Sequence, residues 1–190
     1  MRKFLATSLL LVLLAFPSNV LASLVGTAFG GVALPYIQAD DVEADSDTGY
    51  DFGVSLGWQL NDWVRWDAFE FHYISVNNAN VLGNFTTDNL ALGSSARVGI
   101  FKRDWRLHPY ISAGVGGSRI SHEQGPVILY EWALEWNVGG GVEFQLDYFT
   151  AVGVRYRYRS ADLDTLGSVM GSKIELNMHT IGVEFAFGGE

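Results

Sequence analysis

The chain has 190 residues, a formal net charge of −9 and no cysteine. The acidic balance argues against nucleic acid as a partner, and the lack of cysteine excludes disulfides, thiolate nucleophiles and cysteine-ligated metal ions. The 22 glycines and 14% of aromatic residues suit a β-sheet protein with crowded strands and aromatic girdles.

The N-terminus has the pattern of a secretory signal peptide. Two basic residues precede an apolar run from Phe4 to Phe16, and a small-residue exit ends at Ala22. This run is too short for a membrane-spanning helix, which needs about 20 apolar residues. We therefore expect residues 1–22 to be a signal peptide and residues 23–190 to be one domain, with 21 acidic and 10 basic side chains and a net charge of −11.

A strict alternation follows between Tyr50 and Leu60. Every even position is apolar or aromatic, whereas the odd positions are Asp, Gly, Ser or Gln. Because a strand turns successive side chains to opposite faces, this segment has one apolar face and one small, polar face. About ten residues of this kind let a tilted strand cross a bilayer.

The same alternation predicts eight strands in all. In chain order they cover residues 24–34, 49–60, 64–76, 89–101, 108–120, 130–146, 149–159 and 173–187. Short connections alternate with long ones, and the long ones cover residues 35–48, 77–88, 121–129 and 160–172. An even strand number with this rhythm predicts an all-β fold, an antiparallel up-and-down transmembrane β-barrel with short periplasmic turns and long outer loops.

Two glycine-rich phrases lie within these strands, one at residues 109–116 (PYISAGVG) and one at residues 139–144 (GGGVEF). Together with the leader and the closing aromatic strand, they make the chain similar to the small outer-membrane barrels of the OmpA transmembrane-domain type. The resemblance implies secretion through the periplasm to the bacterial outer membrane. It also implies a monomer surrounded by outer-membrane lipid and lipopolysaccharide. The barrel assembly machinery would read the terminal aromatics Phe185 and Phe187, although three residues follow them.

If the apolar positions face lipid, seven charged side chains point into the barrel. They are Glu70, Arg97, Glu135, Glu143, Arg155, Arg157 and Glu184. An eight-stranded barrel is just wide enough for its own side chains, so these charges must pair or be hydrated. We expect a polar plug that fixes strand register. A gated ion path of the kind proposed for the family and a site for a small polar ligand remain alternatives.

The phase of the third predicted strand is ambiguous. Arg65 and Asp67 share the parity of Phe69, which belongs to the apolar face. Either the two charged residues lie beyond the membrane edge, or a β-bulge resets the phase between them and Phe69.

Five acidic residues crowd the first outer loop: Asp40, Asp41, Glu43, Asp45 and Asp47. Their spacing is not that of an EF-hand, because Ser46 and Phe52 occupy the positions where that loop needs Gly and Glu. We expect a solvated acidic loop. Cation-bridged contact with lipopolysaccharide is the alternative.

The sequence predicts no enzyme, cofactor or metal site. Ser160 follows Tyr158 and Arg159 where the similar lipid A 3-O-deacylases carry a His-Tyr-Ser-Asn phrase, but no histidine adjoins it. A serine without a base is a poor nucleophile. We expect a structural or surface-interaction protein. A narrow, porin-like channel for ions or small hydrophobic solutes and a lipid A-modifying enzyme are the alternatives, and the second is disfavoured.

Overall fold

Eight long antiparallel strands and one short strand make up the described part of the computed structural model. It describes residues 23–39, 42–45, 47–80, 83–102, 104–124, 127–163 and 174–188, so the predicted signal peptide lies outside it. No helix among these residues is long and apolar enough to cross a membrane. The strands are β1 (Ser23–Ala39), β2 (Val42–Asp45), β3 (Gly49–Gln59), β4 (Val64–Asn80), β5 (Gly83–Gly99), β6 (Leu107–Gln124), β7 (Val127–Gln145), β8 (Thr150–Asp162) and β9 (Ile174–Gly188).

The sheet closes on itself through its first and last strands. Strand β1 pairs with β3 on one side, from Ser23 to Ala33, and with β9 on the other, from Val25 to Ala39. The ring therefore runs β1-β3-β4-β5-β6-β7-β8-β9, and every pairing is antiparallel. The predicted eight-stranded antiparallel barrel is confirmed, and closure leaves no long edge strand unpaired.

The sequence alternation separates the outside of the barrel from its inside. In β3, Asp51 is 2% exposed, whereas its neighbour Phe52 is 48% exposed. The same contrast holds around the ring, where Leu92, Val115 and Val154 are all more than 60% exposed. A continuous apolar outer surface of this size needs an apolar solvent, as the period-two pattern predicts.

Two of the predicted long loops are β-hairpins. Strands β4 and β5 remain paired up to Asn80 and Gly83, and β6 and β7 up to Gln124 and Val127. The alternation fades there, because a hairpin outside the membrane meets water on both faces while its backbone groups still pair. We call this end of the barrel the hairpin end. The opposite end, with the short connections and both Ser23 and Gly188, is the turn end.

A β-bulge resolves the ambiguous phase of β4. Its pairing with β5 shifts between Asp67 and Glu70. These two residues are three positions apart in β4, whereas their partners Ser95 and Gly93 are two positions apart in β5. Phe69 points outward and is 62% exposed, whereas Arg65 and Asp67 are 4% and 0% exposed inside the barrel. The Ser94 hydroxyl donates to the backbone oxygen of Asp67 at 3.1 Å, which satisfies a carbonyl at the bulge.

The outward face of the strands predicts a depth-dependent cost for an added charge. Leu92→Arg, near the middle of β5, should lower the free energy of unfolding from lipid vesicles by about 2–4 kcal/mol. Leu107→Arg, at the turn end of β6, should cost about 0–1 kcal/mol because the arginine reaches the interface. Denaturant titration of both variants measures the difference, and equal costs would contradict a lipid-facing assignment.

Candidate functional site

The structure places the seven charged side chains of the predicted network inside the barrel. Each is at most 5% exposed, and each has an oppositely charged partner within 4.0 Å. They are Glu70, Arg97, Glu135, Glu143, Arg155, Arg157 and Glu184. A buried charge is tolerated where such pairing offsets its desolvation.

Arg97 joins carboxylates from three strands. Its Nε lies 2.6 Å from Asp67 Oδ2, and its Nη1 lies 3.1 Å from Glu143 Oε1 and 3.0 Å from Glu184 Oε2. The Tyr110 hydroxyl donates to the other oxygen of Glu184, and the Arg97 guanidinium stacks 4.9 Å from the Tyr110 ring centroid. Because the fork geometry of a guanidinium fixes several acceptors at once, Arg97 ties β4, β5, β7 and β9 together.

Two of these ion pairs cross the barrel axis. Arg97 lies on β5 and Glu184 on β9, which are four places apart in a ring of eight strands and therefore diametrically opposed. Arg157 on β8 and Glu70 on β4 are also opposed, and their atoms Nη1 and Oε1 are 2.6 Å apart. Side chains that meet from opposite walls occupy the axis itself.

His72 links the second crossing pair to Asp51. Its Nε2 lies 2.9 Å from Arg157 Nη1, and its Nδ1 lies 3.1 Å from Asp51 Oδ1. Nε2 also lies 3.4 Å from Glu70 Oε1, but its contact with Arg157 is shorter. Since a guanidinium nitrogen is a donor without acceptor capacity, Nε2 accepts from Arg157 and the Nδ1 proton goes to Asp51. The imidazole thus acts as a neutral bridge within the charged layer.

A third pair joins neighbouring strands closer to the hairpin end. Arg159 Nη1 lies 2.6 Å from Glu135 Oε1, and the Asn89 amide donates to Glu135 Oε2 at 3.4 Å. The next inward residues toward the hairpin end are apolar on several strands. They form a cluster of nine buried side chains: Ala33, Ile74, Val76, Ile120, Ala133, Ala161, Leu163, Leu176 and Met178.

Six further residues of the network were not assigned to it from the sequence. They are Asp51, Arg65, Asp67, His72, Tyr110 and Arg159, all at most 5% exposed. Most of them lie at positions that the alternation of their strands turns inward. This alternation is the sequence signal that could have identified them. For Arg65 and Asp67 the signal was masked by the bulge, which leaves no mark in the residue types.

The structure places the acidic residues of the first loop incompletely. Asp40 and Asp41 lie outside the described residues. Glu43 and Asp45 are on β2, where their backbones pair with Gln38 and Tyr36, and the nearby Asp47 is exposed. Their contact with a cation or with lipopolysaccharide stays a prediction. Among the described residues, no group of three or more His, Asp or Glu side chains is arranged to hold a metal ion.

Phe185 and Phe187 end β9 on the outward face. They are 52% and 56% exposed at the turn end of the barrel. This is an accessible position for recognition during assembly, and that role stays a prediction.

Ser160 lies on the outward-facing parity of β8. It is 4% exposed and pairs in register with Asn177 of β9. The nearby His179 has its Nδ1 at 2.7 Å from the hydroxyl of Tyr156. His179 Nδ1 is thus engaged by a tyrosine, and no hydrogen bond joins His179 to Ser160 among the described residues.

Comparisons with known proteins agree with this architecture. A family model described as "Outer membrane protein beta-barrel domain" matches residues 8–187, and no curated protein matches the sequence. The chain is similar to Neisserial surface protein A at 18% identity, with a TM-score of 0.59 and coverage of 84% of this chain and 95% of that one. The chain is also similar to Ail of Yersinia pestis, at 11% identity and a TM-score of 0.48, with coverage of 86% of this chain and 98% of that one. It is similar to OprG from Pseudomonas aeruginosa at 12% identity and a TM-score of 0.47, with coverage of 87% of this chain and 96% of that one. At 18% identity, the likeness to Neisserial surface protein A shows a shared fold alone.

Removal of the Arg97 guanidinium should destabilise the barrel strongly. Arg97→Ala leaves the carboxylates of Asp67, Glu143 and Glu184 without their shared cation, and breaking a buried pair in this way costs about 3–5 kcal/mol. Arg119→Ala is the matched control, because Arg119 is exposed on the outer surface. It should lower the free energy of unfolding by at most about 1 kcal/mol, through loss of its cation–π contact with the Tyr130 ring. Guanidinium titration in detergent measures both, and an Arg97→Ala variant as stable as the parent would contradict the network.

Proposed function

Because this chain belongs to the outer membrane protein beta-barrel domain family of the bacterial outer membrane, we propose that it is a sealed, non-enzymatic barrel. Its lumen is plugged by paired Glu and Arg side chains, and the barrel is a rigid support for the hairpins at its outer end. Those hairpins serve a structural or surface-interaction role against lipopolysaccharide or an external partner. The turn end faces the periplasm in this arrangement.

The observation that carries the proposal is the pair of ion bridges between opposed strands. Arg97–Glu184 at 3.0 Å and Arg157–Glu70 at 2.6 Å place four side chains across the axis. An ion that passes must break these ion pairs and leave buried charges without their partners, which costs several kcal/mol for each charge.

A narrow ion path is the second candidate, and it has an observation of its own. Seven guanidinium nitrogens on the lumen arginines have no hydrogen-bond partner within the described part of the chain. Glu143 Oε1 is shared between Arg65 and Arg97. Side chains with spare donors and shared acceptors can exchange partners without leaving an unpaired charge.

Planar-bilayer recording distinguishes the two candidates. The parent protein should give no reproducible unitary conductance, whereas the double variant Arg97→Ser, Arg157→Ser should conduct because both crossing side chains are shortened. Arg119→Ser is the control for insertion and for changed surface charge, and it should stay silent. Reproducible unitary openings of the parent protein would overturn the plug in favour of an ion path.

The non-enzymatic part of the proposal has a separate test. Incubation with purified lipid A should leave its acyl pattern unchanged by mass spectrometry, since the Tyr156 hydroxyl occupies His179 Nδ1. A changed pattern that Ser160→Ala abolishes would establish a lipid-modifying activity. A change that persists in Ser160→Ala would point to a contaminating hydrolase, which a preparation of the heat-unfolded protein identifies.

A further inference from the structure

A polar cavity of about 60 Å³ opens at the turn end of the barrel. Seven of the eight barrel strands and the turn between β5 and β6 contribute to its wall. Its lining includes Arg65, Phe101, His108, Gln145 and Thr150. A single water needs roughly 10–15 Å³ by this kind of measure, so the cavity has room for a small polyatomic ion or several waters.

Arg65 reaches this cavity with its charge incompletely matched. Its Nη1 lies 2.7 Å from Glu143 Oε1, but the same oxygen also serves Arg97 at 3.1 Å. The guanidinium carbon lies 4.6 Å from the centroid of the Phe101 ring. The Nε–H, which is buried, has no hydrogen-bond partner within the described residues. Arg65 thus makes one hydrogen bond, to a carboxylate oxygen that it shares with Arg97. A buried guanidinium usually makes two parallel hydrogen bonds to the two oxygens of one carboxylate.

His108 presents a second unpartnered atom in the same wall. Its Nε2 lies 3.1 Å from the backbone oxygen of Lys102 and 3.0 Å from that of Trp105. Because both partners are acceptors, the proton is on Nε2, and the turn between β5 and β6 fixes the ring. Nδ1 is buried without a partner among the described residues, and the ring contacts Phe101 edge-on.

We propose that this cavity is a binding site for a small oxyanion, a carboxylate or phosphate group, held by Arg65 and His108 at the periplasmic mouth of the barrel. One oxygen accepts from Arg65 Nε–H and completes its fork. A second oxygen faces His108 Nδ1, and a phosphate hydroxyl can donate to this nitrogen because the proton of the ring is on Nε2. The site adjoins the plug, because Arg65 shares Glu143 Oε1 with Arg97, but the cavity wall contains none of the four residues of the crossing ion pairs.

The charge of the surroundings favours an anion over a cation here. Arg65 is the one charged side chain of the described cavity wall, which does not include its carboxylate partner Glu143. The remaining polar wall groups include the hydroxyl of Thr150 and the amide of Gln145, which supply donors as well as acceptors. Charge-assisted hydrogen bonds in a partly desolvated mouth are stronger than the same bonds in water.

The test is a titration of the full protein in detergent micelles, followed by ¹⁵N and ¹H NMR of the His108 ring and of Arg65 Nε–H. The probes are inorganic phosphate and sodium acetate at constant ionic strength, with sodium chloride as the salt control. We expect a saturable shift of both side chains with half-saturation at a few millimolar, and Arg65→Gln should weaken the binding at least about tenfold. Arg119→Gln, which alters an exposed arginine far from the cavity, should bind as the parent does.

Each outcome has a defined meaning. Saturation by phosphate alone assigns a phosphate site, and saturation by acetate as well assigns a general carboxylate site. Shifts that rise linearly with every salt, or equal saturation in Arg65→Gln, would overturn the proposal and leave a water-filled mouth. If Arg65→Gln fails to fold, as read from its heat-modified migration on a gel, His108→Gln replaces it. His108→Gln keeps a side-chain N–H that can donate to the turn carbonyls. Its binding is followed by the NMR signal of Arg65 Nε–H. If this variant binds the anion as tightly as the parent does, the proposal is overturned. Bilayer recordings stay silent in either case if the plug is intact.

Discussion

The narrowness of an eight-stranded barrel governs the rest of this structure. Its interior is just wide enough for its own side chains, so a charge that points inward must find an opposite charge within reach or remain desolvated and unpaired. The chain satisfies this constraint across the axis. Arg97 meets Glu184 from the opposed wall, and Arg157 meets Glu70 in the same way. Pairing of this kind fixes strand positions relative to one another, because a slip of one residue would turn each charge toward lipid.

The bulge in β4 and the network depend on each other. In a regular strand without the bulge, Asp67 and Glu70 would lie on opposite faces, because they are three positions apart. With it, Asp67 lies 2.6 Å from Arg97 and Glu70 lies 2.6 Å from Arg157. A local irregularity of the backbone thus supplies both crossing arginines with a carboxylate from one strand. The same irregularity brings Arg65 into the barrel, where it reaches the mouth cavity.

The sequence predicts the barrel and the inward direction of most of its charges. Side-chain type alternates with a period of two because one face of each strand meets lipid and the other faces the polar interior. It does not predict partners. Whether Arg157 meets Glu70 or Glu135 depends on the stagger of strands far apart in the chain, which alternation does not encode. The sequence did not predict that the hairpins extend beyond the barrel. Strands with water on both faces do not need alternating apolar and polar side chains, so the pattern is lost there. Arg65 and Asp67 were ambiguous because one inserted residue reverses parity without a characteristic residue type.

The central claim is that Arg97 and Glu184 interact directly across the axis, and a double-mutant cycle tests it most directly. The free energy of unfolding would be measured for Arg97→Met, Glu184→Leu, the combined variant and the parent. These replacements keep much of the side-chain volume while removing the charges. The account predicts that the combined loss differs from the sum of the single losses by at least about 1 kcal/mol, because contacting residues couple at that level. Additivity within about 0.3 kcal/mol, as for distant sites, would contradict it.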